Sequence, residues 1–455
     1  MSSTDAPLEP DAPVERDADP SSGPISDPSS GPISDTGSDA TAEPEAPPAP
    51  LLTLRDGLPH VTDTDEGLRS ACAAIAAGSG PVGLDAERAS GYRYSNRAYL
   101  IQLRREGSGT WLIDPIGLST VAPLERALAG TDWILHAATQ DLPCLAELGI
   151  RPQAELFDTE LAGRLLGYPR VGLGTLVERV LGYSMLKEHS AADWSTRPLP
   201  ESWLEYAALD VEVLIELRDA LERELEAAGK AEWARQEFEY LRSFQQPTRV
   251  DAWRRTSGSH KVRGRRGLAA VRELWEARDA IAQQRDVTPG RILPDSAIVA
   301  AASELPTDRN ALLSTKGFHG RGAERYSNRW VAALKRAAEL PEDELPTRAP
   351  RGDGPPTPRA WVERDPVAAR RLTLARDAVA GLSERVNVPV ENLLTPDYLR
   401  RTLWTPPSTR QPGELLDQVT AMLAAYGARG WQIALTAPLL TAAILDADAD
   451  ADADA

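Results

Sequence analysis

The chain has 455 residues, enough for one large core domain and one or two smaller ones, and its formal net charge of −18 argues at first sight against a nucleic-acid partner. The distribution weakens that exclusion: residues 1–50 carry seven Asp and four Glu against Arg16 alone, the last ten carry five Asp, and the body is left at −3. No apolar run approaches a membrane span and the first residues are acidic and proline-rich, so neither a transmembrane helix nor a signal peptide is expected, and the reading is a soluble cytoplasmic protein.

Residues 1–50 hold too few core-forming side chains to fold and are read as a disordered acidic tail, within which Asp-Pro-Ser-Ser-Gly-Pro-Ile-Ser occurs at 19–26 and again at 27–34. The alternating Asp and Ala at the end are read the same way, as an acidic tail over 442–455. Cys72 and Cys144 each lie in an apolar stretch and read as small buried hydrophobes. Order begins near Leu51. A helix is expected over Glu66 to Ala77, then a strand over Pro81-Val-Gly-Leu-Asp-Ala-Glu87, a polar turn from Arg88 to Arg97, and strands over Ala98 to Leu103 and Thr110 to Asp114. Short links make these three strands an antiparallel meander. Beyond them strand and helix alternate: Trp133 to Ala137, Leu142 to Leu148, and Leu156 to Thr159 running into a helix through Leu166. Helices then follow over Leu173 to Leu181 and Ser202 to Ala228. The fold class is therefore α/β, with a mixed sheet covered by helices over residues 51–245.

In the strand 81–87, Val82, Leu84 and Ala86 take one face and Gly83, Asp85 and Glu87 the other, so two carboxylates point the same way from a stiff backbone. Like charges held together call for a cation between them, and a divalent metal is the usual one. Asp141 falls where a strand hands over to a helix, a position where α/β folds place ligands. Tyr206 and Asp210 are four apart on one helix, hence on one face. Singly, each of these is an ordinary surface or capping residue. Together they are an ordered set of four acids.

With those residues in view the chain resembles ribonuclease D, in the tyrosine-containing branch of the DEDD superfamily of 3′–5′ exonucleases. The resemblance covers roughly 51–245 and rests on Leu84-Asp-Ala-Glu87, His136-Ala-Ala-Thr-Gln-Asp141 and Tyr206-Ala-Ala-Leu-Asp210. Ala98 to Leu103, Phe157-Asp-Thr159, Lys187, Asp193-Trp194 and Arg197-Pro-Leu199 are similar as well. Ala137 stands where many superfamily members have Asn, although the ribonuclease D branch resembles this chain there. The resemblance implies a ribonuclease H-like fold. It also implies hydrolysis of RNA 3′ ends to nucleoside 5′-monophosphates with two divalent metal ions, Mg²⁺ or Mn²⁺, on Asp85, Glu87, Asp141 and Asp210. Tyr206 would orient the attacking water, and tRNA precursors lead as the substrate. Lys187 and Arg197 are candidate contacts for the RNA phosphates.

Residues 246–266 are read as a basic linker. Arg249, Arg254, Arg255, Lys261, Arg263, Arg265 and Arg266 face Asp251 alone, and Trp253 among them offers a ring for base stacking. Residues 267–342 resemble the HRDC domain, a small helical bundle. Residues 343–359 form a Pro/Gly linker, and 360–441 read as a second, diverged HRDC-like bundle. On this reading the bundles hold the RNA, and a chain ending near Gln245 still trims a short oligonucleotide. Two alternatives stay open, a DNA-directed 3′–5′ exonuclease and an RNA-binding protein with a silent site. The oligomeric state is left open too.

Overall fold

The computed structural model describes residues 49–185, 191–246, 250–347 and 354–453. Two extended residues, Val61–Thr62 (β1), lead into the helix Asp65–Ala77 (α1). Thr64 starts that helix by accepting from the Gly67 amide, and Asp65 and Glu66 sit in its first turn, where the dipole favours them. Its buried stripe is Leu68, Ala71, Cys72 and Ile75, a spacing of three and four. Ser79–Arg88 (β2), Ala98–Glu106 (β3) and Gly109–Ile113 (β4) form the antiparallel meander, with Gly107 and Gly109 at positive φ in the tight turn between β3 and β4. Then follow Ala122–Leu128 (α2), Trp133–Leu135 (β5), Leu142–Glu147 (α3), Leu156–Asp158 (β6), Thr159–Leu166 (α4) and Leu173–Leu176 (α5). A π turn over Val177–Leu181 follows α5, and Glu201–Glu212 (α6), Leu214–Ala227 (α7) and Ala231–Arg242 (α8) complete this part.

The six strands make one mixed sheet in the order β1-β4-β3-β2-β5-β6, with β1 parallel to β4 and β5 parallel to both β2 and β6. Val82, Leu84 and Ala86 pack with Leu68, Ala71 and Ile75 on one face. The other face meets α6 and α7, and it can do so closely because residue 83 is glycine. A Cβ there would stand 3.0 Å from that of Leu214. The chain breaks at Val213, so the single helix expected over Ser202 to Ala228 is two; α6 lies against β2, β3 and β4 while α7 turns away toward α4 and α8.

Gly264–Arg285 (α9), Pro289–Ile292 (α10), Asp295–Glu304 (α11), Arg309–Ser314 (α12), Arg321–Arg325 (α13) and Ser327–Glu339 (α14) form a first bundle around Leu274, Ile281, Ile298, Phe318 and Trp330. Trp361–Arg364 (α15), Pro366–Val386 (α16), Val390–Leu393 (α17), Pro396–Trp404 (α18), Pro412–Tyr426 (α19) and Gly430–Ala453 (α20) form a second. Its core is continuous with that of the α/β part. Its Trp361, Leu372, Trp431 and Leu440 share one apolar cluster with Phe157, Leu217, Leu221 and Phe238 of the α/β part. Where the two meet, the Trp233 and Trp431 rings stack at 4.9 Å and 12°, and buried Glu237 accepts from the Trp431 indole and pairs with Arg429. The buried Lys230 ammonium donates to Leu165 O and Asn387 O, carbonyls at the ends of α4 and α16 that a helix cannot satisfy itself.

Several expectations are corrected here. The 442–455 tail is helical through Ala453: Ala443, Ile444 and Ala447 are buried, and Asp448 pairs with Arg371 and Arg410. This α20 is also long and apolar enough to cross a membrane by length and composition, although half of its apolar stretch is buried among its neighbours. Residues 250–266 are not a free linker. They make short 3₁₀ turns at Ala252–Arg255 and Ser259–Lys261 and then begin α9. The elements β1, α2 and α8 were not anticipated. The expectation for residues 1–48 lies outside the described residues.

The shared core bears on the stability of a chain ending near Gln245. Such a chain should lose the cooperative melting transition of the full protein in calorimetry, because half of its largest apolar cluster is gone. Trp431→Ala in the full chain should cost about 3–5 kcal/mol in denaturant unfolding.

Candidate active site

Strand β2 carries Asp85 and Glu87 to the sheet face that α6 covers, and α6 brings Asp210 down to meet them. One carboxylate oxygen from each of the three lies within 4.8 Å of the others. The third element is the turn after β5. Ala137 is held there at φ 58°, unusual for a residue with a side chain, and the Ala137 and Ala138 amides donate to Asp158 at 3.3 and 2.8 Å. Asp158 also caps α4 through the Leu161 amide at 3.0 Å. One buried acid thus fixes the turn that delivers Asp141. Asp141 stands at the start of α3 but makes no capping hydrogen bond, so its carboxylate is left to the cleft. The cleft has a volume of about 520 Å³ and includes His136, Tyr206, Arg88 and Ser90 in its walls.

Burial and mutual repulsion dominate the electrostatics. Glu87 is pushed up to about 10, first by burial and then by Asp85, Asp210 and Asp141. Burial also raises Asp85, Asp141 and Asp210, and Asp85 adds to the rise at the latter two. The Tyr206 phenol is raised further still by burial and by Asp210, to which it donates a hydrogen bond, so it stays protonated. His136 is held down at about 4 by burial and is therefore neutral at pH 7, its Nδ1 2.9 Å from Thr159 Oγ1. A set of hard oxygen donors short of positive charge suits a hard divalent cation.

Other predicted site residues lie elsewhere. Arg197 does not face phosphates: it pairs with Asp114 and donates to the carbonyls of Tyr99, Trp194 and Thr196, which spends its guanidinium on holding the chain around residues 193–199. Lys187 lies outside the described residues. Trp253 is 5 % exposed in the core of the first bundle, with the Arg254 guanidinium 4.3 Å from its ring, so it offers no free face for a base. Arg265 donates to Leu345 O, and Arg266 caps the end of α14 through Ala337 O, Ala338 O and Leu340 O while pairing with Glu342. Arg263 is exposed at the start of α9.

Three residues at the site escaped the sequence reading. Gln102, opposite Asp85 on β3, donates to Asp85 Oδ2 at 2.6 Å; its signal in sequence was an amide inside the apolar run Ala98 to Leu103, a segment that resembles the family without marking this residue. Asp158 was visible only within a motif. Asp286, at φ 47° after α9, accepts from the Tyr94 and Ser95 amides at 3.2 and 2.8 Å and from the Tyr99 hydroxyl at 3.1 Å. It thereby ties the first bundle to the loop between β2 and β3, whose Ser90 lines the cleft. Nothing local in sequence marks it.

The chain matches a family model described as 3′–5′ exonuclease over residues 59–226 and the HRDC domain over 267–334. Residues 354–444, read above as a second HRDC-like bundle, match a 3′ to 5′ exonuclease C-terminal domain. Ribonuclease D of Escherichia coli (strain K12) is 32% identical over 289 residues, 62% of this chain and 76% of that one. Ribonuclease D of Zymomonas mobilis is 30% identical over 357 residues, 73% of this chain and 90% of its own. Among solved structures, a protein from Bifidobacterium adolescentis superposes with a TM-score of 0.80 at 38% identity, covering 87% of this chain and 99% of that one. Escherichia coli RNase D, described as an exoribonuclease involved in structured RNA processing, superposes with a TM-score of 0.62 at 26% identity over 81% of this chain and 99% of its own.

The acid cluster has a consequence for stability. An unfolded Glu87 ionises near 4.5 and the folded one near 10, so between those values the folded chain binds more protons and stability falls as pH rises. The melting temperature of metal-free protein is expected to drop from about pH 5 to about pH 9 and to recover when a divalent cation is added. A flat profile in differential scanning calorimetry would speak against a buried cluster.

Proposed function

The chain belongs to the ribonuclease D family and is a 3′–5′ exoribonuclease; from that premise we propose that it works with two divalent cations, Mg²⁺ or Mn²⁺, on Asp85, Glu87, Asp141 and Asp210. We also propose that it releases nucleoside 5′-monophosphates and that its substrates are the 3′ ends of tRNA precursors and other stable RNAs. The observation that carries the metal reading is the convergence of Asp85, Glu87 and Asp210 within 4.8 Å, with Asp141 delivered beside them by its own turn.

When bound, such cations lower the pKa of the attacking water and offset the charge that builds on the entering and leaving oxygens. The protein residues do the rest. Asp85 and Glu87 are fixed by the sheet and Asp210 by its helix, so the donors do not have to be gathered when a substrate arrives. Tyr206 keeps its proton and donates a hydrogen bond to Asp210, which leaves the phenol oxygen to accept from the attacking water and aim it at phosphorus. The same bond makes the phenol a poor base, so its part is orientation. Neutral His136 in the cleft wall adds no charge against the substrate phosphate. A cytoplasmic location goes with this reading; both cysteines are free and buried, as a reducing compartment allows.

The test is incubation of the full-length protein with end-labelled RNA and DNA of one sequence, with Mg²⁺, Mn²⁺ or chelator. Stepwise shortening of RNA from the 3′ end with mononucleotide release is expected, together with loss of activity in chelator and faster turnover of a 3′-extended tRNA than of an unrelated folded RNA. Internal cuts, chelator resistance or preference for DNA would overturn the respective parts. Asp85→Asn should lower kcat by about a thousandfold or more with RNA binding kept. Tyr206→Phe should slow turnover and leave metal binding in calorimetry unchanged.

A further inference from the structure

Beside the acid cluster, across the strand pair from Asp85, stands an uncharged side chain. Gln102 is 0 % exposed on β3, in register with Asp85 on β2, and lies on the same sheet face. Its Nε2 donates to Asp85 Oδ2 at 2.6 Å, a short contact. Its Oε1 is buried with no partner among the described residues. A side chain selected for packing alone would not be an amide here, because a Leu or Met fills similar space without stranding a carbonyl away from water. The amide is also polar in a directed way: its Nε2 donates to a carboxylate oxygen of Asp85, which an aliphatic side chain of that size cannot do.

We infer that Gln102 is a positioning residue of the active site, which holds the Asp85 carboxylate in the rotation that turns it toward Glu87 and Asp210 and so sets the affinity for divalent cation. Asp85 is clamped from two sides, by the Ala86 amide on its own strand and by Gln102 across the sheet. Asp210 has its counterpart in Tyr206, which belongs to its own helix. For Asp85 the second clamp comes from a neighbouring strand, so the β2–β3 register itself becomes part of the site: a slip of one residue would put Ile101 or Leu103 opposite and leave Asp85 free to rotate. Loss of a partner of this kind, one bond out from the ligand, typically lowers metal affinity about 10- to 100-fold.

The inference rests on the metal reading proposed above, and the test separates the two. Full-length wild type, Gln102→Met, Gln102→Glu and Asp85→Asn are stripped of metal and titrated with Mn²⁺ by calorimetry and by the shift in melting temperature. Wild type should bind and Asp85→Asn should lose that binding. Gln102→Met, similar in shape but without a donor, should melt within a few degrees of wild type when metal-free and bind Mn²⁺ about 10- to 100-fold more weakly. At saturating Mn²⁺ it should have a lower kcat on an RNA oligonucleotide with KM unchanged. Gln102→Glu, which replaces the donor by an acceptor, should be weaker again. Wild-type Mn²⁺ affinity in Gln102→Met, with or without a lower melting temperature, would mark Gln102 as packing only and overturn the inference. If Gln102→Met does not fold, an Mn²⁺ affinity of Gln102→Glu equal to wild type overturns it in the same way. Absence of Mn²⁺ binding by wild type would overturn the metal reading and the inference with it.

Discussion

Four carboxylates facing one cleft repel one another, and much of this molecule can be understood as the means of holding them there. The cost is visible in Glu87, which keeps its proton to about 10 when no cation balances it. A flexible surface would relieve such repulsion by letting the acids drift apart. Here the four acids sit on three kinds of rigid support. Asp85 and Glu87 share a central strand, Asp141 follows a turn pinned by Asp158, and Asp210 rides a helix brought close by the missing side chain at Gly83. Stability is given up locally so that donors for a divalent cation are assembled in advance.

The rest of the chain supplies what the site consumes. The second bundle completes a core that the α/β part only half provides, through Trp431, Leu440 and their neighbours. The first bundle reaches the cleft more directly. Asp286 accepts three hydrogen bonds from the segment 94–99, and the Thr288 amide donates to Tyr92 O, so the loop that follows Glu87 is braced from outside the catalytic part. A split into a cutting half and a holding half leaves out this bracing. The helical half is also part of what makes the cutting half rigid.

Legibility in the sequence followed distance along the chain. Asp85 with Glu87, and Tyr206 with Asp210, were readable because strand and helix periodicity alone place each pair on one face. The meander was readable from short links and turn residues, and the four acids from motifs. What failed was inference from composition. The basic run 250–266 looked like a nucleic-acid patch, yet its Trp253 is core, its Arg265 satisfies the loop carbonyl of Leu345 and its Arg266 satisfies carbonyls at the end of α14. Arginine has five donors and serves a buried carbonyl as readily as a phosphate. The Asp-Ala run at the end looked disordered, but alanine is the best helix former, and with Arg371 and Arg410 beside Asp448 the repeat extends α20.

Gln102 and Asp286 show why such residues hide. Each acts across a strand pair or between distant segments, on a partner 17 residues away in one case and more than 180 in the other. No local pattern encodes such a contact, because neither residue has to be amphipathic, turn-forming or charged in a run. What marks Gln102 is a polar atom buried without a structural need, and that is visible only once the packing around it is known. In Gln102 the orphan carbonyl is the mark: a core position that tolerates an unpaired acceptor must draw some other benefit from the amide, and the one group the amide touches is a carboxylate of the site.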